Sequence, residues 1–269
     1  MAGIDLSIYF ARIGFSGARR PTLETLQTLH ALHPAAITFE NLDPLLRRPV
    51  SLELAALTEK LVDRKRGGYC YEHNTLFAAA LRALGFSVTT LGARVQWNVP
   101  PGTVAARTHM VLRIDLPEGP HIADVGFGRL SLTAPLRLVA DLEQPTPHGL
   151  HRLVAIGEEF QLQVKLRDWA PIYQLSLEPK APADWEVANW YTSTNPKSVF
   201  TNSLMVARPV GDRRYGLLNN DLRIHHRDGR TERRMLATPE ELAAVLRDDF
   251  AIRLPEGADE LWSQLTRKV

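Results

Sequence analysis

The chain of 269 residues holds a single cysteine, Cys70. No intramolecular disulfide can form, which fits a reducing compartment and gives no sign of secretion. One thiol cannot supply a zinc cluster, and no His-Glu-x-x-His stretch is present, so no metal is expected. Long apolar runs are missing too, and none approaches the roughly 18 residues of a membrane span. The stretch from Met1 to Phe15 places Asp5 ahead of its apolar residues and Arg12 among them. It lacks the basic start and small-residue cleavage site of a signal peptide. The expected location is therefore the cytoplasm, with no membrane partner. Neither sign of charge dominates: 32 basic against 30 acidic residues leave a net charge of +2, no electrostatic footprint for nucleic acid. A Walker lysine loop and a Gly-x-Ser-x-Gly elbow are both absent. Gly126-Phe127-Gly128 lacks the third glycine of a dinucleotide fingerprint and reads better as a mobile loop.

What is present is an ordinary globular composition, 45% hydrophobic and 23% charged, long enough for two or three domains sharing a core. Leu23, Leu26, Leu29 and Leu32 recur at helical spacing after Pro21. Leu54, Leu57 and Leu61 predict a second helix, with Ser51 as N-cap and Gly67-Gly68 as its stop. Leu76, Phe77, Ala80, Leu81 and Leu84 predict a third, ended by Gly85. The middle reads as strands over 88–95, 111–114, 121–125, 153–156 and 160–166. The last third is mixed: a short helix over 184–191, then strands over 204–206, 215–218 and 222–224. Asp228-Gly229 is a tight-turn signal. Thr238 and Glu241 form a capping box around Pro239 and predict a helix to about Phe250, followed by another over 259–266. The order gives an α+β chain with boundaries near Phe86 and Asn195.

Cys70 stands just after Gly67-Gly68 and opens the third helical pattern. A thiol in a first helical turn feels the positive end of the helix dipole and unpaired N–H groups, which favour the nucleophilic thiolate. A buried structural cysteine is the competing reading for any lone thiol. A nucleophile needs a base, and the base an orienting group. His109 begins one predicted strand and Asp124 ends the next, across a single turn. If the register sets them opposite one another, an imidazole held by a carboxylate follows; a shift of two residues leaves them diagonal and still within reach. Asp115 is the next acidic candidate. His73, three residues after Cys70, is within range of the thiol but has no evident acidic partner, and His225-His226 look solvent-facing. Glu40 and Arg66 read either as a buried ion pair or as two unrelated surface charges.

These residues resemble the arylamine N-acetyltransferase family. Four segments carry the likeness: Phe39-Glu40-Asn41-Leu42-Asp43, the stretch from Arg66 to Asn74 around Cys70, Thr108-His109-Met110, and Asp124-Val125-Gly126-Phe127-Gly128. They fall in the family's order over roughly half the chain, and Thr38 replaces the proline expected before Phe39. The resemblance implies a helical bundle over 1–85, a β-barrel over 86–194 and an α/β lid over 195–269, with a papain-like arrangement of Cys70, His109 and Asp124. It implies acetyl-coenzyme A as co-substrate without a bound prosthetic group. The acceptor would be the nitrogen of an arylamine or arylhydrazine, reached through an acetyl-cysteine. It also implies an acceptor pocket of Phe39, Phe127 and Phe200, and contact between the coenzyme and Gly126 and Gly128. Arg94, Arg129, Arg208, Arg213 and Arg214 are cations available to the coenzyme's phosphates, none of them assigned. A cysteine hydrolase, a transglutaminase-like enzyme and a macrocycle-forming amide synthase would use the same triad. Oligomeric state is not legible.

Overall fold

The computed structural model describes residues 3–100, 102–254 and 257–266. Helices come first: α1 (Leu6–Ile13), α2 (Leu23–Ala36), a two-residue strand β1 (Phe39–Glu40), then α3 (Leu42–Leu45), α4 (Leu54–Leu57) and α5 (Cys70–Ala83). Periodicity does not single out α1, which is set by its ends. The Asp5 carboxylate accepts the Ser7 N–H at 2.8 Å, and Gly14 closes the helix in the left-handed region. The helix around Leu54 to Leu61 also departs from expectation. Ser51 does not cap it; Glu53 occupies that position, and the Ser51 hydroxyl accepts the Glu53 N–H. α4 runs on as a π-helical turn, Thr58–Asp63, and stops there, ahead of Gly67-Gly68. The two glycines serve close approach instead of helix termination. A Cβ on Gly67 would lie 2.0 Å from the Thr38 carbonyl oxygen, and one on Gly68 would lie 2.6 Å from Glu72 Oε2.

The middle is an eight-stranded antiparallel sheet: β2 (Ser87–Val95), β3 (His109–Leu116), β4 (Gly119–Ala123), β5 (Leu136–Arg137), β6 (Gln144–Thr146), β7 (Gly149–Ile156), β8 (Glu159–Lys165) and β9 (Trp169–Pro179). Its order is β5-β4-β3-β2-β9-β8-β7-β6. The two edge strands are joined by one side chain. Gln144 accepts the Arg137 N–H at 2.7 Å and donates to the Arg137 carbonyl at 3.0 Å, so the sheet nearly closes into a barrel. Leu91, Val111, Ile122, Leu153, Leu162 and Tyr173 are buried together in one cluster of this barrel. The central strand β9 escapes sequence reasoning because Pro171 interrupts its pattern. Pro171 faces Gln163 where the β8–β9 register shifts, a bulge position that tolerates the missing N–H.

After α6 (Pro182–Thr194) come β10 (Met205–Val210), β11 (Arg213–Leu218), β12 (Asp221–His226), β13 (Thr231–Met235), α7 (Pro239–Asp248) and α8 (Ala258–Thr266). This second sheet runs β1-β10-β11-β12-β13. Its edge is the early loop: Phe39 pairs with Ala207 and Glu40 with Val206. Leu42 and Leu45 of α3 are buried with Leu204, Leu246 and Phe250 in the C-terminal core. The Thr38 hydroxyl donates to the Phe250 carbonyl, a bond that a proline at this position would lack. The fold is thus α+β, with a helical start, a barrel-like sheet and a mixed α/β end. Among the described residues no helix is long and apolar enough to cross a membrane.

Helical spacing puts His30 and His33 on the buried face of α2 with Leu26 and Leu29. His33 lies in a chain whose direction is set by its last acceptor. The Thr38 carbonyl can only accept, so His73 Nε2 donates to it at 3.2 Å. His73 Nδ1 then accepts from His33 Nε2 at 3.0 Å, and His33 Nδ1 from the Tyr9 hydroxyl at 2.8 Å. His73 therefore spends both nitrogens away from the thiol. Burial holds His73 and His30 down to about 4 and His33 well below its ordinary value. Between those values and the ordinary 6.5 the unfolded chain binds protons that the folded chain does not. Stability is full above that ordinary value and falls as pH drops toward 4, by up to ~1.4 kcal/mol per pH unit for each histidine. Thermal unfolding of His73→Gln, which lacks one such group, should lose less of its midpoint than wild type between about pH 7 and about pH 5. Parallel losses in the two proteins would contradict this account.

Candidate active site

Cys70 is the first residue of α5 and is buried. The loop delivering it is held by charge. Glu72 Oε2 accepts the Tyr69 N–H at 3.0 Å, closing the helix start, while Glu72 Oε1 takes Lys60 Nζ at 2.6 Å. Lys60 also reaches Asp43, and Arg66 makes two bonds to Glu40 Oε1, at 3.0 and 2.8 Å, and one to Asp43 at 3.3 Å. The Glu40–Arg66 pair thus forms within a five-residue network. Burial opposes the charged forms of Arg66 and Lys60, but the surrounding carboxylates outweigh it and raise both above their ordinary values. The network ties β1, α3 and the π-helical turn to Glu72 and, through its carboxylate, to the Tyr69 N–H next to the thiol.

The β3–β4 ladder sets Leu112 opposite Ala123 and Ile114 opposite His121. The register that would face His109 directly onto Asp124 is therefore offset by two residues. Asp124 lies one residue past β4, level with Val111 and diagonal to His109 on the same face. The long imidazole spans that diagonal, and His109 Nε2 donates to Asp124 Oδ2 at 2.7 Å. Asp124 Oδ1 accepts from Asn74 Nδ2 at 3.0 Å and from the Gly126 N–H at 2.9 Å. Burial alone would lower the His109 pKa, yet the Asp124 charge, its hydrogen bond and the Cys70 thiol push it up to about 10. Burial works the other way on Asp124, and the imidazolium, Asn74 and Gly126 hold its carboxyl below the usual carboxylate range. With Nε2 committed to Asp124, Nδ1 is the ring atom left for the thiol. The arrangement can hold an imidazolium beside a sulfur nucleophile at neutral pH.

Asn74 is the residue that sequence reasoning left without a role. It follows Cys70 by four positions, so both occupy one face of α5, a spacing that could have marked it. Besides Asp124 it donates to the Met110 carbonyl at 2.8 Å and accepts the Val125 N–H at 3.1 Å, sewing the helix to β3 and to the chain just past β4. The Thr108 carbonyl adds a second seam. It accepts from the Tyr71 hydroxyl at 2.7 Å and lies 3.9 Å from Cys70 Sγ. Tyr173, on the strand that sequence reasoning missed, packs its ring 5.0 Å from His109. Burial and then the Asp124 charge keep its hydroxyl un-ionised.

The three phenylalanines fall into two neighbouring aromatic groups. Phe127 stands edge-on to His109, centroids 5.1 Å apart, and touches Tyr173 at 5.5 Å. Phe39 lies near Phe200 at 6.4 Å, and Phe200 packs edge-on to Tyr69 at 5.4 Å. Gly128, at positive φ, brings the two groups together, since a Cβ there would press on the Phe39 ring at 3.2 Å. A Cβ on Gly126 would lie 2.9 Å from Cys70 Cα, so only glycine lets this loop rest on the start of α5. Of the candidate cations, Arg214 is buried and donates to the carbonyls of Arg129, Ser131 and His148. Arg208 donates to those of Ala35 and Asp249, and Arg94 to that of Ala105. Arg213 stands beside Asp212, and Arg129 donates to His225 Nε2 at 3.0 Å. His226 contacts Glu232 and is buried, contrary to its solvent-facing expectation.

A family model described as N-acetyltransferase matches residues 22–258. An arylamine N-acetyltransferase of Mycolicibacterium smegmatis is 43% identical over 256 residues, 93% of each chain. One from Escherichia coli (strain K12) is 41% identical over 249 residues, covering 92% of this chain and 88% of that protein. The solved structure of the Mycobacterium marinum arylamine N-acetyltransferase in complex with CoA superposes with a TM-score of 0.94 at 41% identity, over 98% of this chain and 99% of the other. A model spanning most of the chain, relatives of this identity and a matching fold agree: the chain belongs to the arylamine N-acetyltransferase family of acyltransferases.

Proposed function

We propose that the chain moves an acetyl group from acetyl-coenzyme A to the nitrogen of an arylamine or arylhydrazine in two half-reactions through acetyl-Cys70. The observation that carries this reading is the His109–Asp124 bond of 2.7 Å, buried beside the chain's one thiol at a helix start. In the first half-reaction the Cys70 sulfur attacks the thioester carbonyl and the bond to the coenzyme sulfur breaks. His109, held as a cation by Asp124, gives its proton to the departing coenzyme thiolate. In the second, the amine nitrogen attacks the acetyl-cysteine carbonyl, His109 takes the amine proton, and the Cys70 thiolate is released. Asp124 keeps the ring in one tautomer and balances its charge. The N–H groups of the first turn of α5 are suited to stabilise the oxyanion. Phe39, Phe127 and Phe200 would line the acceptor pocket, and the coenzyme would contact the main chain at Gly126 and Gly128. Enclosure matters because water reaching acetyl-Cys70 would waste it. In this reading the units 1–85, 86–194 and 195–269 enclose the site together. A nucleophilic thiol survives best in a reducing compartment, which favours a cytoplasmic enzyme.

Intact-mass measurement after adding acetyl-coenzyme A should find one acetyl group on the wild type and none on Cys70→Ser; full turnover by that variant would remove Cys70 from the mechanism. Asp124→Asn keeps the shape and loses the charge. Its turnover should drop by at least about a hundredfold, within the range of general acid–base catalysis, and near-normal turnover would show that Asp124 is not the orienting acid. Phe127→Ala should weaken arylamine binding by about tenfold, or ~1.4 kcal/mol, while slowing acetylation of Cys70 much less. Rapid-quench measurement of each half-reaction checks this, and equal slowing of both would assign Phe127 to the whole cleft.

A further inference from the structure

The Asp124 carboxylate is held by His109, Asn74 and Gly126, but its main-chain N–H is held from elsewhere. Asp124 lies just past the last ladder pair of β4, Leu112 opposite Ala123. Its N–H donates instead to Nε2 of His30, 3.1 Å away in the middle of α2. His30 is fully buried and stands edge-on to Phe77 at 5.9 Å. Among the described residues its bond to Asp124 is the ring's one hydrogen bond to another residue, because Nδ1 is buried without a partner there. Leu26 and Leu29 fill the same helix face with no polar atom to satisfy. A buried imidazole that makes one bond is a costly way to fill a core, so the bond itself is what the residue contributes.

The chemistry of the ring fits that task. Because Nε2 accepts, the ring proton sits on Nδ1 and the imidazole is neutral. Burial keeps it so, holding its pKa down to about 4 even though the Asp124 charge pulls the other way. The titratable groups that face it are Asp124 and His33, and His33 is itself held neutral. His30 therefore binds the Asp124 main chain without offering that carboxylate a second cation in competition with His109.

We propose that His30 is a positioning residue for the acid of the site: by accepting the Asp124 N–H it fixes the chain past the end of β4, so that the carboxylate stays on His109 Nε2. The inference rests on reading Asp124 as the orienting acid. The amide oxygen of glutamine reaches the place of a histidine Nε2, whereas methionine fills similar space with no such acceptor. Full-length wild type, His30→Gln and His30→Met are compared by nitrogen NMR of the His109 ring during a pH titration, and by the rate of Cys70 acetylation. In His30→Met the His109 midpoint should fall by about one pH unit or more, and acetylation should slow by about tenfold. The KM for acetyl-coenzyme A should not change, and His30→Gln should recover most of both losses. An unmoved midpoint in His30→Met overturns the proposal. So does an equal displacement in both variants, or a displaced midpoint with an unaltered acetylation rate. If His30→Met does not fold, His30→Asn replaces it, since its amide aligns with Nδ1 and falls short of the Asp124 N–H. The titration needs no substrate, so a wild type that fails to take up acetyl strikes the proposed function and leaves the NMR comparison to decide the role of His30.

Discussion

A carboxylate with no exposure to water costs several kcal/mol unless it is paired and hydrogen-bonded, and Asp124 is such a group. Its partners come from three parts of the chain. His109 arrives from β3, Asn74 from α5 and the Gly126 N–H from its own loop, while His30 of α2 takes its main-chain N–H. Satisfying this one charge therefore fixes the helical part of the molecule against the barrel-like sheet. The same bonds put the imidazole beside the thiol, because Cys70 and Asn74 share a face of one helix. In the proposed function stability and chemistry use the same contacts, and loosening any of them leaves a buried charge short of a partner.

A second charged knot works on the other side of Cys70. Glu40, Asp43 and Glu72 share the two cations Lys60 and Arg66, so each cation bridges two acidic side chains. Glu40 belongs to β1, which is also the edge strand of the C-terminal sheet. The network thereby links the start of α5 to β10 and to the core under α7. Thr38 lies where these elements meet. Its carbonyl accepts from Gly68 and His73, and its hydroxyl holds the Phe250 carbonyl. Several long-range constraints thus converge within a few residues of Phe39 and the thiol.

Some of this was legible in the residues. The starts of α5 and α7, the turn at Gly85 and the β7–β8 hairpin follow from local periodicity, capping and turn chemistry, which act over a few positions and need no partner elsewhere. The single cysteine between a glycine pair and a helical pattern, with a histidine and an aspartate across one turn, likewise marked three residues that the fold brings together. What the sequence determined by itself is therefore the local elements and the residue types able to act. The tertiary structure decided their relations. It offset the β3–β4 register by two residues, inserted β9 through a bulge at Pro171, and gave β1 to a sheet made from the other end of the chain. It also brought His30 to Asp124, 94 positions away. Such pairings are set by which buried polar groups find partners when the whole core closes, and that competition leaves no periodic trace along the chain.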